Sequence, residues 1–163
     1  MGTAASRIYL SLLFWVTGRA VQAAWRTDRE VRREFDRLPD LFSFRLSVYP
    51  SGPGLTIMKK EGTVRYIRQG EEGPADLHMM IKSLSHGMSL FTFQESTALS
   101  ASRGRIAIYG DLSYACSIVR VLDRVEIYLL PRVIAKRAVK RYESPPAKHR
   151  KRFMIYLRVL FSP

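Results

Sequence analysis

Apolar residues along this chain repeat first at helical spacing, then on alternate positions, then at helical spacing again. Ile8 to Arg37 is apolar at Leu10, Leu13, Phe14, Ala20, Val21, Ala24 and Trp25. It then turns charged, with Val31 and Phe35 four apart on one face, and reads as one helix or two. Its first half is greasier than a surface helix should be. Leu38-Pro39-Asp40 ends it, because a residue that precedes proline avoids the helical region.

From Leu41 the period is two. Phe42, Phe44, Leu46 and Val48 share one face and Ser43, Arg45 and Ser47 the other, the pattern of a half-buried strand. Ser51-Gly52-Pro53-Gly54 is a turn. Leu55 to Lys59 and Thr63 to Arg68 are two more strands around Glu61-Gly62; a polar loop, Gln69 to Pro74, leads to a fourth strand, Asp76 to Ile81. Connections this short have no room for crossover helices, so a mostly antiparallel meander is expected.

Helical spacing returns at Ser83 to Thr92, with Leu84, Met88 and Phe91 on one face, followed by a polar stretch from Gln94 to Arg103. Arg105 to Tyr109 is a short strand that Gly110-Asp111 stops, and Asp111 is placed to cap a helix running to about Leu122 with Leu112, Ala115, Val119 and Leu122 on one stripe. Asp123 would cap a further segment to Leu130. Pro131 suits the first turn of a helix from Arg132 to Tyr142, and Lys148 to Phe161 forms the last one beyond Ser144-Pro145-Pro146. Strands followed by helices predict an α+β fold with a mostly antiparallel sheet of about five strands covered by helices. The expected organisation is a helical segment over residues 1–40, a domain over 41–130 and basic amphipathic helices over 131–163.

A length of 163 residues suits one ordinary core, and 47% hydrophobic with 25% charged residues is a globular composition. The net charge of +13 changes the picture through its distribution: Arg132 to Pro163 holds ten Lys/Arg against Glu143 alone. A basic tail on a nearly neutral body points to an anionic partner, either phospholipid or nucleic acid, or else to a merely solvated tail. Cys116, the single cysteine, excludes an internal disulfide and fits a cytoplasmic protein. Arg7 before the apolar run Ile8 to Val16 has the look of a signal peptide, with Val21-Gln22-Ala23 as a weak cleavage site. The run is broken by Thr17, Gly18 and Arg19, and it falls far short of the roughly 20 apolar residues of a membrane span. Met1-Gly2 with Ser6 fits the short myristoylation pattern.

Nothing in the residues favours catalysis. His78, His86 and His149 are dispersed over a strand, a helix start and the tail, and no pair has the spacing of a zinc site. No phosphate-binding glycine loop follows a strand. Cys116, inside an amphipathic helix, is expected as a small core residue. No cofactor is expected.

The order of elements from Leu41 to about Leu130 resembles the sterol-carrier-protein-2 domain. The residues that carry the resemblance are Ala75-Asp76-Leu77 opening a strand, the apolar helix near Ser83, and Gly104-Arg105-Ile106-Ala107-Ile108-Tyr109-Gly110-Asp111 running straight into a helix. The resemblance implies a non-enzymatic domain whose sheet and helices enclose an apolar tunnel for a lipid, sterol or isoprenoid. The layout after Asp111 also looks like bacterial ubiquinone-biosynthesis accessory factors that carry this domain. On that reading the cavity candidates are Leu84, Met88, Phe91, Phe93, Ile106, Ile108, Leu112, Val119 and Leu122, with Met58, Met79 and Met80 as adaptable lining. By spacing alone each of these is plain core; only the resemblance makes them a tunnel wall.

The last helix carries a second candidate site. Lys148, Arg150, Lys151 and Arg152 precede Phe153, Tyr156, Leu157, Leu160 and Phe161, an order suited to an anionic membrane surface at about 1 kcal/mol per basic residue. The same helix is equally suited to docking on its own domain, on a second copy of the chain or on another protein. Three functions therefore compete: an apolar-ligand carrier peripheral to membranes, a nucleic-acid-binding module that uses the basic tail, and a subunit of a larger complex. Nucleic acid is the weaker partner, because no recognition motif accompanies the charge.

Overall fold

The computed structural model describes residues 3–67, 70–71, 73–92, 94–129, 153–157 and 159. The expected helix from Arg132 to Tyr142, the basic residues Lys148 to Arg152, and Phe93, Leu160 and Phe161 lie outside the described residues.

The greasy amino-terminal stretch is two helices, α1 (Thr3–Thr27) and α2 (Arg29–Asp36). Asp28 divides them. Its backbone is extended, and its side chain accepts the Glu30 N–H at 3.1 Å, which satisfies a free donor in the first turn of α2. The strands follow as β1 (Phe42–Val48), β2 (Gly54–Lys60), β3 (Thr63–Ile67) and β4 (Leu77–Ile81). Then come α3 (Leu84–Phe91), α4 (Thr97–Ser102), β5 (Ile106–Tyr109) and α5 (Leu112–Leu129). The serines Ser83 and Ser96 cap α3 and α4 by accepting the N–H groups of His86 and Leu99.

The five strands form one sheet in the order β3-β2-β1-β4-β5. The α+β class holds, and the pairs β1–β2, β2–β3 and β4–β5 are antiparallel. The meander stops after β3, however, because β4 pairs with β1 in parallel. A parallel pair needs a crossover, and here it is made by β2, β3 and the chain that leads from β3 to β4, in which residues 73–75 are irregular. Gly73 and Pro74 are held over the outer sheet face by β1 itself: Arg45 donates to the Gly73 carbonyl at 2.8 Å and Ser43 to that of Pro74 at 3.1 Å. Asp76 then docks on Ser43, its carboxylate accepting the Ser43 N–H at 2.7 Å.

Alternation in the strands divides the sheet as the sequence predicts. Phe42, Phe44, Leu46 and Val48 of β1 align with Ile57 and Leu55 of β2 and with Leu77, Met79 and Ile81 of β4, all buried on the inner face. Against this face pack Leu10, Phe14, Ala20, Val21 and Ala24 of α1 and Ala115, Ile118, Val121, Leu122, Val125 and Tyr128 of α5, in one continuous core. Each fully buried large side chain contributes about 1.5–3 kcal/mol relative to exposure. Helix α1 lies close on β3 because Gly18 has no Cβ; one built there would sit 2.3 Å from the Tyr66 ring.

Lys59 falls on the inner face opposite Phe42, yet it is buried without breaking the core. Its ammonium donates to the carbonyls of Phe35 at 3.1 Å and Leu38 at 2.7 Å, placing a cation at the negative end of α2.

Helix α5 corrects the expected break at Asp123, since it runs unbroken to Leu129. Asp111 caps it as expected, accepting the Ser113 N–H at 2.6 Å. Its buried stripe also differs from the expected one: Leu112 is 65% exposed, because the first turn projects past the packed face. Cys116 is likewise exposed rather than core, since it falls between the buried Ala115 and Ser117 on the outward side of the helix.

Candidate functional site

Between the inner sheet face and the helices lies a small, partly open cavity of about 20 Å³, room for roughly one water. Leu46 and Met79 of the sheet form its floor, Ile106 of β5 one side, Leu90 and Phe91 of α3 another, Thr17 and Thr97 enter from α1 and α4, and Leu122 and Glu126 come from α5. The Phe91 ring meets the Phe14 ring edge-on, with centroids 4.7 Å apart, which ties α3 to α1 beside the cavity.

Of the nine residues expected to line a tunnel, Phe91, Ile106 and Leu122 meet here. Leu84, Met88, Ile108 and Val119 are half-buried and pack against the surrounding core, while Leu112 points away to solvent. The methionines do not gather. Met79 is on the cavity floor, Met88 packs at the side, and Met58 and Met80 pair with outer-face positions of β1, Ser43 and Ser47.

Glu126 is the polar residue that reading by residue type overlooked. The signal was present, because Glu126 lies four residues after Leu122, on the next turn of the same stripe. Glu126 is half-buried in this lining. Burial, with the nearby Asp123 carboxylate as the lesser cause, pushes it up to about 8. Asp123 itself is pushed up to about 6 by burial.

The cavity roof is fastened by Glu95. Its buried carboxylate accepts from Ser100 of α4 at 2.7 Å, from Arg103 at 2.6 Å and from Arg105 at the start of β5 at 2.7 Å. The Ser100 hydroxyl, more than the two arginines, holds the Glu95 carboxyl below the ordinary carboxylate range.

Two larger and more open hollows, of about 220 and 270 Å³, mix apolar with charged lining: Met58 and Ile67 with Lys60, Glu61 and Arg65 in one, Trp25 and Val64 with Arg32, Asp36 and the buried Lys59 in the other. On the outer sheet face the Ser47 hydroxyl and His78 Nε2 lie 2.7 Å apart, and burial, then the charge of Arg45, lowers the His78 pKa. This pair faces away from the cavity. Among the described residues, no group of three His, Cys, Asp or Glu side chains is arranged to hold a metal.

Residues 153–157 are helical and divide their faces. Ile155 and Val159 are buried in the domain core, and the Tyr156 hydroxyl donates to the Leu129 carbonyl at 2.8 Å. Phe153 is 64% exposed, and Met154, Tyr156 and Leu157 are exposed beside it. Helix α1 exposes a stripe of its own at Ile8, Leu12 and Trp15, with the Arg19 guanidinium 6.0 Å from the Trp15 ring. No helix among the described residues is long and apolar enough to cross a membrane.

No protein-family model and no curated protein matches this chain. Solved structures do. A conserved hypothetical protein from Thermus thermophilus, described as a candidate sterol carrier protein, superposes with a TM-score of 0.50 at 13% identity, covering 82% of this chain and 90% of its own. The fold is of the sterol-carrier-protein-2 type. Sterol carrier protein 2 from Yarrowia lipolytica in its apo form is similar at a TM-score of 0.48 and 15% identity, covering 72% of this chain and 91% of its own. A UbiJ-SCP2 ubiquinone synthesis protein is similar at 0.45 and 15%, covering 74% and 95%. At such identities the likeness is one of architecture. In this sterol-carrier-protein-2 fold the cavity occupies the space between the sheet and α1, α3 and α5.

Proposed function

We propose that this chain is a non-catalytic carrier that shelters an apolar ligand, of the lipid, sterol or isoprenoid class, between its sheet and helices. The observation that carries the reading is the cavity walled mainly by Leu46, Met79, Leu90, Phe91, Ile106 and Leu122 inside a sterol-carrier-protein-2 fold. At about 20 Å³ it is the seed of a site, since pockets for ligands of drug size run from about 300 to 1,000 Å³. Occupancy therefore requires the roof to move outward. The roof consists of two short helices, α3 of 8 residues and α4 of 6, and short helices draw their stability from tertiary packing. A ligand that binds only the open arrangement shifts the population toward it.

The chain meets its ligand at membrane surfaces, in peripheral contact. Ile8, Leu12 and Trp15 on α1 and Phe153, Met154 and Leu157 at the carboxy-terminal end are exposed apolar groups, and the net charge of +13 favours anionic lipid. The basic residues Lys148, Arg150, Lys151 and Arg152, together with Leu160 and Phe161, belong to the same contact.

Organic extraction of the purified protein, followed by mass spectrometry, tests the first statement. An apolar molecule is expected in near-equimolar amount, along with saturable binding of a neutral fluorescent probe. Absence of both refutes the carrier reading. Sedimentation with phosphatidylcholine vesicles, with and without phosphatidylserine, tests the second. Binding should require the anionic lipid and weaken as salt rises; equal binding to both vesicles removes the electrostatic component.

A further inference from the structure

A cavity that only sheltered hydrocarbon would have no use for Glu126. Its neighbours in the lining are Leu46, Met79, Leu90, Phe91, Ile106 and Leu122, with the hydroxyl residues Thr17 and Thr97. No hydrogen bond or cation from the described residues bears on its carboxyl; the charge that reaches it is Asp123, one turn earlier on α5 and of like sign. An unpaired carboxylate in such surroundings is strongly disfavoured, so the group keeps its proton through neutral pH. A protonated carboxyl both donates and accepts hydrogen bonds, so one set in this lining offers a ligand both a donor and an acceptor.

We propose that Glu126 is the polar end of the ligand site, where its carboxyl hydrogen-bonds an uncharged oxygen, hydroxyl or carbonyl, at the head of a ligand whose chain lies along Met79, Phe91, Ile106 and Leu122. The inference rests on the apolar-carrier reading and narrows its ligand class. Long-chain alcohols, sterols and ketones fit. Anionic heads do not, because a carboxylate or phosphate would be buried beside Glu126 and Asp123 with no described cation to neutralise it.

The test displaces the neutral probe N-phenyl-1-naphthylamine from the full chain with dodecane, 1-dodecanol and dodecanoate at pH 7, using the wild type, Glu126→Leu and Glu126→Gln. The alcohol-over-alkane preference of the wild type should exceed that of Glu126→Leu by about three- to tenfold, the yield of one neutral hydrogen bond. Comparing the two ratios cancels the intrinsic difference between the ligands. Glu126→Gln, which keeps a donor and an acceptor, should stay within about twofold of the wild type on the same scale. Dodecanoate should compete more weakly than dodecanol. Equal preference in the wild type and Glu126→Leu, with all three ligands displacing the probe, overturns the head-group role and leaves the carrier reading intact. Dodecanoate competing as well as dodecanol also overturns it, without reliance on any variant. Failure of the probe and of every ligand to bind refutes the carrier reading, and the present inference falls with it.

Discussion

Replacing Asp28 with alanine should cost this protein about 3–4 kcal/mol, because one carboxylate caps α2 and ties it to α5. Asp28 is 2% exposed. One of its oxygens accepts the Glu30 N–H and caps α2; the other accepts from Arg124 Nε at 3.0 Å and from the Tyr128 hydroxyl, both on α5. The lost cap contributes about 1 kcal/mol. The fully buried Tyr128 hydroxyl would lose its acceptor, at about 1–3 kcal/mol. The Arg124 side chain, 12% exposed, would retain only the exposed Glu30, 3.0 Å away, where breaking a fully buried pair costs about 3–5 kcal/mol. These contributions overlap, which is why the total is set near the single largest one. In a domain of this size the midpoint of thermal unfolding should fall by about 8–14 °C. Burial is the largest influence on Asp28 and raises its pKa, but the bonds from Tyr128, Arg124 and the Glu30 N–H outweigh it and hold the carboxyl below its ordinary 3.8. The stabilisation is therefore full above about pH 4 and is lost as pH falls through the lower folded value. Urea melts of the wild type and Asp28→Ala at pH 7 and pH 2.5 measure it. A loss under 1 kcal/mol at pH 7, or a difference unchanged at pH 2.5, would show that the junction is not held as described.

Glu126 predicts the opposite pH trend. Its folded value near 8 lies above its ordinary 4.5, so wild-type stability should decline as pH rises between those two values. Glu126→Gln should remove that decline, gaining about 4 kcal/mol on the wild type between pH 5 and pH 9 in urea melts; parallel profiles would contradict a carboxyl held protonated by its surroundings. Glu95→Gln should loosen the cavity roof, seen as faster amide exchange across residues 97–102 and faster probe uptake, with exchange in β1 unchanged. Gly110→Ala should be strongly destabilising, by more than about 2 kcal/mol in thermal melts, because its φ of +122° disfavours a side chain and a Cβ would sit 2.4 Å from the Asp76 carbonyl oxygen.

Much of this architecture is written in local pattern. The two-residue period of Phe42 to Val48 decides which side of β1 is buried, since side chains alternate across a strand whatever its neighbours are. Ser83 and Asp111 cap their helices through bonds spanning two or three residues, which a linear reading can find. The fold class and the likeness to a sterol carrier domain follow from the order of such elements.

What local pattern does not carry is phase and partnership. The β1–β4 pair joins residues more than thirty apart across β2 and β3, a partnership that no run of neighbouring residues announces. Apolar spacing on α5 defines a stripe, but packing decides where the stripe starts, and it leaves Leu112 and Cys116 in solvent while holding Val125 and Tyr128. Asp123 has the residue type of a cap but lies mid-helix, because the buried stripe continues past it through Leu122, Val125 and Tyr128 and carries α5 on. By itself, then, the sequence determined most of the elements, the buried faces of the strands and the excess of positive charge, all of which depend on neighbours in the chain. The tertiary structure alone decided that Glu126 meets Phe91, Met79 and Ile106 around one cavity, since a cavity is a property of surfaces brought together from several elements and has no local signature.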